Sequence, residues 1–244
     1  MSNALSVLMG VWNGERTVSA AIESIRAQTW PDWELILVDD ASTDGTAALL
    51  ATLSDPRIRV IRNDVNLGLA ASLNLAFRES RGALIARMDA DDVALPDRFA
   101  RQLAFMAEHP AVDILGTAAV LVDGNGRELG ISTRRELHHD IAAFIYKENP
   151  FIHPSVMMRR HVLDVLGGYD ESLLRAQDYD LWLRGVRKFR YHNLQEPLLR
   201  YKQPDRPTWS SSSEGMRVIW KNAGWRGTWY AARLLAAWAV SKLR

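Results

Sequence analysis

Apolar residues follow two different spacings along the first ninety positions of this chain. Short apolar runs, typical of buried strands, alternate with segments whose apolar residues recur every three or four positions, as in a helix. The predicted strands are residues 5–9, 34–38, 58–61 and 82–88. The predicted helices are residues 16–28, 46–53 and 69–80. Because strand and helix alternate with short connections, the pattern predicts parallel βαβ units.

The pattern changes after residue 96. A predicted helix up to about His109 is followed by an apolar run at residues 112–122 and another at 129–131. The Asn-Gly pair at residues 125–126 is a strong hairpin signal, so this part is expected to add antiparallel strands. Further predicted elements are helices from about residues 160 and 177 and a strand at 198–201. The fold class is therefore α/β, with a mixed, mostly parallel central sheet flanked by helices.

Composition excludes several classes of protein. The chain has 244 residues and 48% hydrophobic content, enough for one large α/β domain or two small ones. Thirty basic and 29 acidic side chains give a net charge of +1, so a protein-wide nucleic-acid surface is not expected. The chain has no cysteine, which excludes disulfides and thiolate metal sites. The sequence shows neither the pattern of an export signal nor an apolar run long enough for a membrane-spanning helix, so a cytoplasmic location is expected.

Three carboxylates follow the predicted strand at residues 82–88. Asp89, Asp91 and Asp92 should therefore emerge at the carboxyl end of that strand, where open α/β sheets bind their ligands. Hard oxygen donors of this kind suit Mg²⁺ or Mn²⁺, and such an ion can hold a diphosphate. A solvated acidic turn is the alternative interpretation.

Two other loops follow the first and second strands. Asp39 and Asp40 leave the second strand, where they are either ligand-binding carboxylates or helix-capping residues. Gly10 and Gly14, after the first strand, fit neither the dinucleotide-binding glycine pattern nor a phosphate-binding loop with lysine. The sequence thus lacks the central feature of those two nucleotide-binding classes.

Four segments in this order resemble the inverting family 2 glycosyltransferases. They are residues 38–46, 66–70, 89–92 and 177–182, and the resemblance covers roughly residues 5–202. It implies the glycosyltransferase A fold, in which a nucleotide-binding half and an acceptor-binding half share one central sheet. The expected division is a catalytic domain at 1–207, with a donor half at 1–95 and an acceptor half at 96–207. A linker and a helical tail would follow at 208–244.

The resemblance implies a donor site and a metal site. The implied donor-site residues are Gly10, Trp12, Asn13, Glu15, Asp40, Asp89 and Asp91. The first-strand loop would lie against the nucleobase, and Trp12 stands where the family usually has tyrosine. Asp40 would accept hydrogen bonds from uracil or ribose. Asp91 is the preferred ligand of Mn²⁺ or Mg²⁺, and Asp92 is the alternative because an extra aspartate permits two registers.

An inverting transfer also needs a base for the acceptor hydroxyl. The resemblance assigns this role to Asp178, at the start of a predicted helix, where the helix dipole favours the ionised carboxylate. Gln177 stands where glutamate is frequent in the family. Asp180 is the competing base, and a simple helix cap is the structural alternative for Asp178.

The resemblance places His153 and Trp182 on the acceptor side. Each has a structural alternative: a hydrogen-bonded histidine for His153 and core packing for Trp182. Some relatives carry a histidine after the last strand that contacts the diphosphate or the metal, but here residues 201–204 are Tyr-Lys-Gln-Pro. Lys202 or Arg206 is the candidate replacement for that positive charge.

Residues 216–244 combine tryptophans with arginines and lysines and contain no acidic residue. This composition suits the headgroup layer of an anionic membrane; completion of the core or a dimer contact is the alternative. The expected function is a metal-dependent inverting transfer of a sugar from a nucleotide-sugar donor, with UDP expected, to a glycan or lipid-linked hydroxyl acceptor. The expected setting is bacterial cell-surface polysaccharide or lipopolysaccharide synthesis, at the inner face of the cytoplasmic membrane. A catalytically silent nucleotide-sugar-binding module is the alternative.

Overall fold

The structure, a computed structural model, describes residues 5–203, 215 and 217–222. The strands are β1 Leu5–Val11, β2 Trp33–Asp39, β3 Ile58–Arg62, β4 Leu84–Arg87, β5 Val93–Ala94, β6 Ile114–Val122, β7 Glu128–Ser132, β8 Met157–Arg159 and β9 Tyr191–Lys202. The α-helices are α1 Val18–Arg26, α2 Thr46–Ala51, α3 Leu69–Glu79, α4 Arg98–Glu108, α5 His138–Phe144, α6 Arg160–Leu166 and α7 Gln177–Gly185. A 3₁₀ turn spans His153–Ser155.

The first half of the sheet is parallel, in the order β3-β2-β1-β4. β1 pairs in parallel with both β2 and β4, and Val11 at the end of β1 lies opposite Asp39 at the end of β2. The carboxyl ends of these strands therefore share one edge of the sheet. The βαβ units predicted from the apolar spacing are confirmed, and so is the position of the acidic segment just after β4.

The second half makes the sheet mixed. β8 runs antiparallel between β4 and β6, β9 runs parallel to β6, and β5 pairs antiparallel with β9. The predicted hairpin is present, since β7 pairs antiparallel with β6 around a turn in which Gly126 has a φ of 80°. The mixed, mostly parallel sheet flanked by helices is therefore confirmed.

Apolar side chains fill a layer on each face of this sheet. One layer includes Ile22 of α1 and Phe99 of α4, and the other includes Leu73 of α3 and Trp182 of α7. The helices predicted from their spacing thus bury the expected faces against the strands.

A short helical segment from the predicted tail also packs on the domain. Residues 217–222 are helical, and Val218 and Ile219 are fully buried in the layer that contains α7. The remaining tail residues, and with them most of the predicted aromatic and basic surface, lie outside the described residues. No helix in the part of the chain that the structure describes has the length and apolar character needed to cross a membrane.

Candidate active site

The loops after β1 and β2 are joined by hydrogen bonds. The backbone N–H of Asn13 donates to Ser42 Oγ at 2.9 Å, and the N–H of Thr43 donates to Asn13 Oδ1 at 2.8 Å. Glu15 accepts a hydrogen bond from the N–H of Gly45 at 2.8 Å. Asn13 has a φ of 52°, a left-handed conformation that asparagine tolerates better than most residues. The polar side chains of this sequence segment therefore fix two loops into one wall.

This wall borders a cavity of about 670 Å³ at the carboxyl edge of the sheet. All the predicted donor-site residues line it, namely Gly10, Trp12, Asn13, Glu15, Asp40, Asp89 and Asp91. Trp12 is 58% exposed, which leaves a flat aromatic surface open to the cavity. Gly10 permits close packing, because a Cβ there would lie 3.0 Å from Leu69 Cδ1. The structure thus brings together residues that the sequence separates by up to eighty positions.

Asp40 lines the cavity and also holds the neighbouring loop at residues 63–68. Its buried carboxylate accepts hydrogen bonds from the backbone N–H groups of Leu67 at 2.9 Å and Gly68 at 2.8 Å, and from Asn63 Nδ2 at 2.7 Å. Gly68 has a φ of 87°, so the loop that Asp40 holds adopts a conformation favoured by glycine. Asp40 therefore holds the loop at residues 63–68 and does not cap α2 or α3 through its side chain, and its contact with a nucleotide stays a prediction.

The three carboxylates after β4 form one cluster. Oxygen atoms of Asp89, Asp91 and Asp92 lie within 4.8 Å of one another. Burial, followed by the charges of Asp89 and Asp91, raises the pKa of Asp92 to about 8. Its Oδ2 atom is buried without a hydrogen-bond partner among the described residues. An all-oxygen donor set whose negative charges repel one another fits a hard divalent cation such as Mn²⁺ or Mg²⁺.

Two buried guanidinium groups lie behind this cluster. Arg87, at the end of β4, is 2% exposed and forms an ion pair with Asp89 at 2.5 Å. Arg98 donates a hydrogen bond to the backbone carbonyl of Arg87 at 2.8 Å, and burial lowers its pKa to about 9. Neither residue was identified as part of the site from the sequence, although the position of Arg87 inside an apolar strand segment indicated a buried charge. Together they offset part of the negative charge of the cluster.

Asp178 lies in the first turn of α7, as predicted. Its Oδ2 accepts a hydrogen bond of 2.6 Å from Asn149 Nδ2. The pKa of Asp178 is raised, because the effect of burial outweighs the lowering by the Asn149 hydrogen bond and the Arg87 charge. Arg87 pairs with Asp89, and its charge also lowers the pKa of Asp178, whereas Asp178 is not among the residues that line the cavity.

Asp180, the competing base, is engaged by neighbouring side chains of the protein. It is fully buried and pairs with Arg184 at 2.6 Å and with Lys221 at 3.2 Å. Asn222 donates a further hydrogen bond to it at 2.9 Å. Since these donors surround the carboxylate, Asp180 fastens the segment at residues 217–222 to α7.

The predicted acceptor residues lie next to each other in the second half. The His153 ring lies 2.9 Å from the Tyr169 hydroxyl, and burial together with the Arg87 charge lowers the pKa of His153 well below its usual value. Trp182 is fully buried and packs edge-on against Phe151, with ring centroids 5.0 Å apart. Trp182 therefore affects an acceptor only through the residues that it supports.

Lys202 occupies the position that the sequence left open for a positive charge. It lines the cavity, and its Nζ atom lies 3.7 Å from Asp91 Oδ2. The other candidate, Arg206, is outside the described residues. Asn149 and Tyr169 were not identified from the sequence, because each is separated in the chain from the residue that it contacts.

The family model described as "Glycosyl transferase family 2" matches residues 6–167. The chain is 40% identical over 206 residues to EpsE of Bacillus subtilis, an alignment that covers 82% of this chain and 73% of EpsE. It is 31% identical over 214 residues to the O-antigen biosynthesis glycosyltransferase WbnJ of Escherichia coli, covering 85% and 83% of the two chains.

Solved structures share the fold. TarS residues 1–349 of S. aureus, in complex with UDP-GlcNAc, match with a TM-score of 0.71 at 20% identity, covering 98% of this chain and 72% of that TarS fragment. The mannosyltransferase PcManGT of Pyrobaculum calidifontis, in complex with GDP-Man and Mn²⁺, matches with a TM-score of 0.67 at 19% identity, covering 98% and 76%. The glycosyltransferase A fold expected from the sequence is confirmed.

Proposed function

Because the chain belongs to glycosyltransferase family 2 and is therefore a glycosyltransferase, we propose that it carries out a metal-dependent, inverting transfer from a UDP-sugar to a hydroxyl acceptor. One observation carries the proposal. A single cavity is lined by the Trp12 and Asp40 wall and by Asp89 and Asp91, and the Arg87 that pairs with this cluster also acts on Asp178.

The donor would lie across the carboxyl edge of the parallel strands. The exposed ring of Trp12 offers a stacking surface for a nucleobase, and a cation held by the acidic cluster in the same cavity would compensate the charge of the diphosphate. TarS was solved with UDP-GlcNAc and PcManGT with GDP-Man, so donors of this chemical class fit related cavities. UDP is the proposed nucleotide for this chain.

The proposed cofactor is Mn²⁺ or Mg²⁺, held by Asp91 together with Asp92 or Asp89. Such an ion neutralises negative charge that builds up on a departing nucleoside diphosphate. Lys202 adds a positive charge on the same side, because its ammonium group lies near Asp91 in the cavity lining. PcManGT, of the same fold, was solved with Mn²⁺.

The proposed base is Asp178. Its carboxylate would remove the proton of the acceptor hydroxyl while that oxygen attacks the anomeric carbon from the side opposite the diphosphate, which inverts the configuration. His153 does not compete for this role, because its ring is already engaged with the Tyr169 hydroxyl.

The acceptor side and the setting are proposed on the same basis. We assign residues 1–95 to donor binding and 96–207 to acceptor binding, with His153 beside the acceptor. WbnJ is named for O-antigen biosynthesis, which supports a glycan or lipid-linked acceptor in cell-surface polysaccharide or lipopolysaccharide synthesis. Contact of residues 216–244 with the inner face of the cytoplasmic membrane stays a prediction, and within the described part Trp220 is exposed.

A thermal-shift screen with UDP-glucose, UDP-GlcNAc and GDP-mannose, each with and without Mn²⁺, tests donor binding, because a ligand that binds the folded state raises its stability. Mn²⁺-dependent release of sugar from the stabilising donor then tests turnover. Asp178→Asn should retain the thermal shift and lose turnover. Binding without turnover in the wild-type protein, with any acceptor supplied, would instead indicate a silent nucleotide-sugar-binding module.

A further inference from the structure

Within the described residues, Asn149 donates the one side-chain hydrogen bond that the Asp178 carboxylate accepts. Its Nδ2 atom lies 2.6 Å from Asp178 Oδ2, and Asn149 is 9% exposed. An amide donor can stabilise the charged carboxylate without itself competing for the proton. The hydrogen bond also occupies one of the two carboxylate oxygens.

The loop that carries Asn149 is held in place from two directions. The backbone N–H of Phe151 lies 3.3 Å from Asn149 Oδ1, which orients the amide so that its nitrogen faces Asp178. Asn193 of β9 donates to the carbonyl of Pro150 at 3.0 Å, and Asn193 is fully buried. Because a residue before proline has little backbone freedom, Asn149 is restricted in the chain as well as in space.

The other groups around Asp178 come from four elements or loops. Arg87 at the end of β4 favours the ionised carboxylate. The phenols of Tyr169, of Tyr179 on the same helix and of Tyr201 on β9 also interact with Asp178, and burial raises the pKa of each phenol, so all three are neutral near pH 7. Asn149 is thus the neutral side-chain donor in direct contact, beside the backbone N–H of Tyr179, and Arg87 is the cation that acts from the cluster.

We propose that Asn149 is the positioning residue of the base: its amide holds Oδ2 of Asp178 and thereby fixes the orientation in which the carboxylate accepts the proton of the incoming hydroxyl. The inference rests on the proposed function, because it concerns the group that deprotonates the acceptor. It adds a second residue to the proton-transfer site, contributed by the loop between α5 and the 3₁₀ turn.

Titration of the Asp178 carboxyl by ¹³C NMR tests the inference without any substrate. The full-length protein is labelled at aspartate carboxyl carbons, and the Asp178 signal is identified by its loss in Asp178→Asn. In Asn149→Ala the Asp178 pKa should move to higher pH, since a hydrogen bond that favours the charged form is lost. In the near-isosteric Asn149→Asp it should move further in the same direction, since a like charge is added.

Asn222→Ala is the matched control, because Asn222 also donates an amide hydrogen bond to an aspartate in the first turn of α7, namely Asp180. This control should leave the Asp178 titration where it is in the wild type. An unchanged titration in folded Asn149→Asp, or an equal displacement in Asn222→Ala, would overturn the positioning role. If Asn149→Ala does not fold, Asn149→Asp still decides the question.

The pH profile of Mn²⁺-dependent UDP-sugar hydrolysis supplies the second readout. In Asn149→Ala the acid limb should move to higher pH, with about a tenfold loss of kcat for each unit of displacement at pH values below the limb. The KM for the donor should change little. Full turnover in Asp178→Asn would refute the assigned base while leaving the NMR displacement intact, so failures of the two proposals are distinguishable.

Discussion

The backbone N–H of Lys202 donates a hydrogen bond of 2.8 Å to Oδ1 of Asp92. This bond joins the acidic loop after β4 to the end of β9, although 110 positions separate the two residues. The side chain of the same lysine lies 3.7 Å from Asp91. One residue of the last strand therefore contacts two of the three carboxylates, and it gives Asp92 an anchoring role while Asp91 stays exposed in the cavity.

Asp91→Asn should remove the Mn²⁺-dependent part of the thermal stabilisation by UDP, because Asp91 is the exposed carboxylate of the cluster. Stabilisation by UDP alone should remain. Differential scanning fluorimetry with and without Mn²⁺ measures both parts. Asp32→Asn, an exposed aspartate that does not line the cavity, is the control and should behave as the wild type. An unchanged Mn²⁺ response in Asp91→Asn would favour the register in which Asp92 is the principal ligand.

Trp12→Ala should weaken UDP binding by about tenfold, because stacking of a base on an aromatic side chain contributes roughly 1–3 kcal/mol. Trp12→Phe keeps a stacking surface and should lose much less affinity. Isothermal titration calorimetry with UDP measures the difference. Trp30→Ala changes another exposed tryptophan, which lies outside the cavity lining, and should leave the affinity unaltered. Equal affinities for Trp12→Ala and the wild type would remove the nucleobase from this wall.

Asp40→Ala should lower the free energy of unfolding by about 3 kcal/mol, because buried donors in the 63–68 loop would lose their acceptor. The donors are the N–H groups of Leu67 and Gly68 and the amide of Asn63. Urea denaturation measures this loss. If the variant instead keeps its stability and loses only UDP affinity, the carboxylate serves the ligand and not the loop.

His153 makes stability depend on pH in one direction. Its pKa in the folded state lies well below the usual value near 6.5, because burial and the Arg87 charge disfavour the imidazolium form. Below about pH 6.5 the unfolded chain therefore binds a proton at this histidine that the folded chain does not. The free energy of unfolding consequently decreases as the pH falls through this range.

His153→Gln removes that titration. Urea unfolding should show the free energy of unfolding of the wild type decreasing relative to that of His153→Gln as the pH is lowered from about 7.5 to 5.5. The other titrating groups are common to both proteins and cancel in the comparison. A difference that stays constant over this range would mean that His153 takes up its proton in the folded state as readily as in the unfolded chain.

The fold of the first half was predictable because its elements are long enough to show their spacing. The four strands before residue 90 are marked by short apolar runs and the three helices by apolar residues every three or four positions, and each has its counterpart in the structure. The sequence missed β5 and β8, which are two and three residues long, and the first part of β9. Such strands show no period, and tertiary pairing defines them: Met157 of β8, for example, pairs with Ala86 and Leu115.

The site divides in the same way. Topology predicted that the ends of the parallel strands share one edge, and the family resemblance assigned Trp12, Asp40 and Asp91 at those ends to the donor site. Asn149 and Tyr169 were not identified, since each lies in a loop whose partner is 29 or 16 positions away and no local pattern marks the contact. The role of Asp180 was equally hidden, because its partner Lys221 comes from a segment read as part of a tail.

The bond between Lys202 and Asp92 has a consequence for biosynthesis of the chain. Once Asp92 has left the ribosome every carboxylate of the cluster has been delivered, but β9, the strand that anchors Asp92, is still to be translated. A polypeptide truncated before β9 would hold the acidic loop without the backbone hydrogen bond to Asp92, so the proposed metal site should be complete only after β9 pairs with β6.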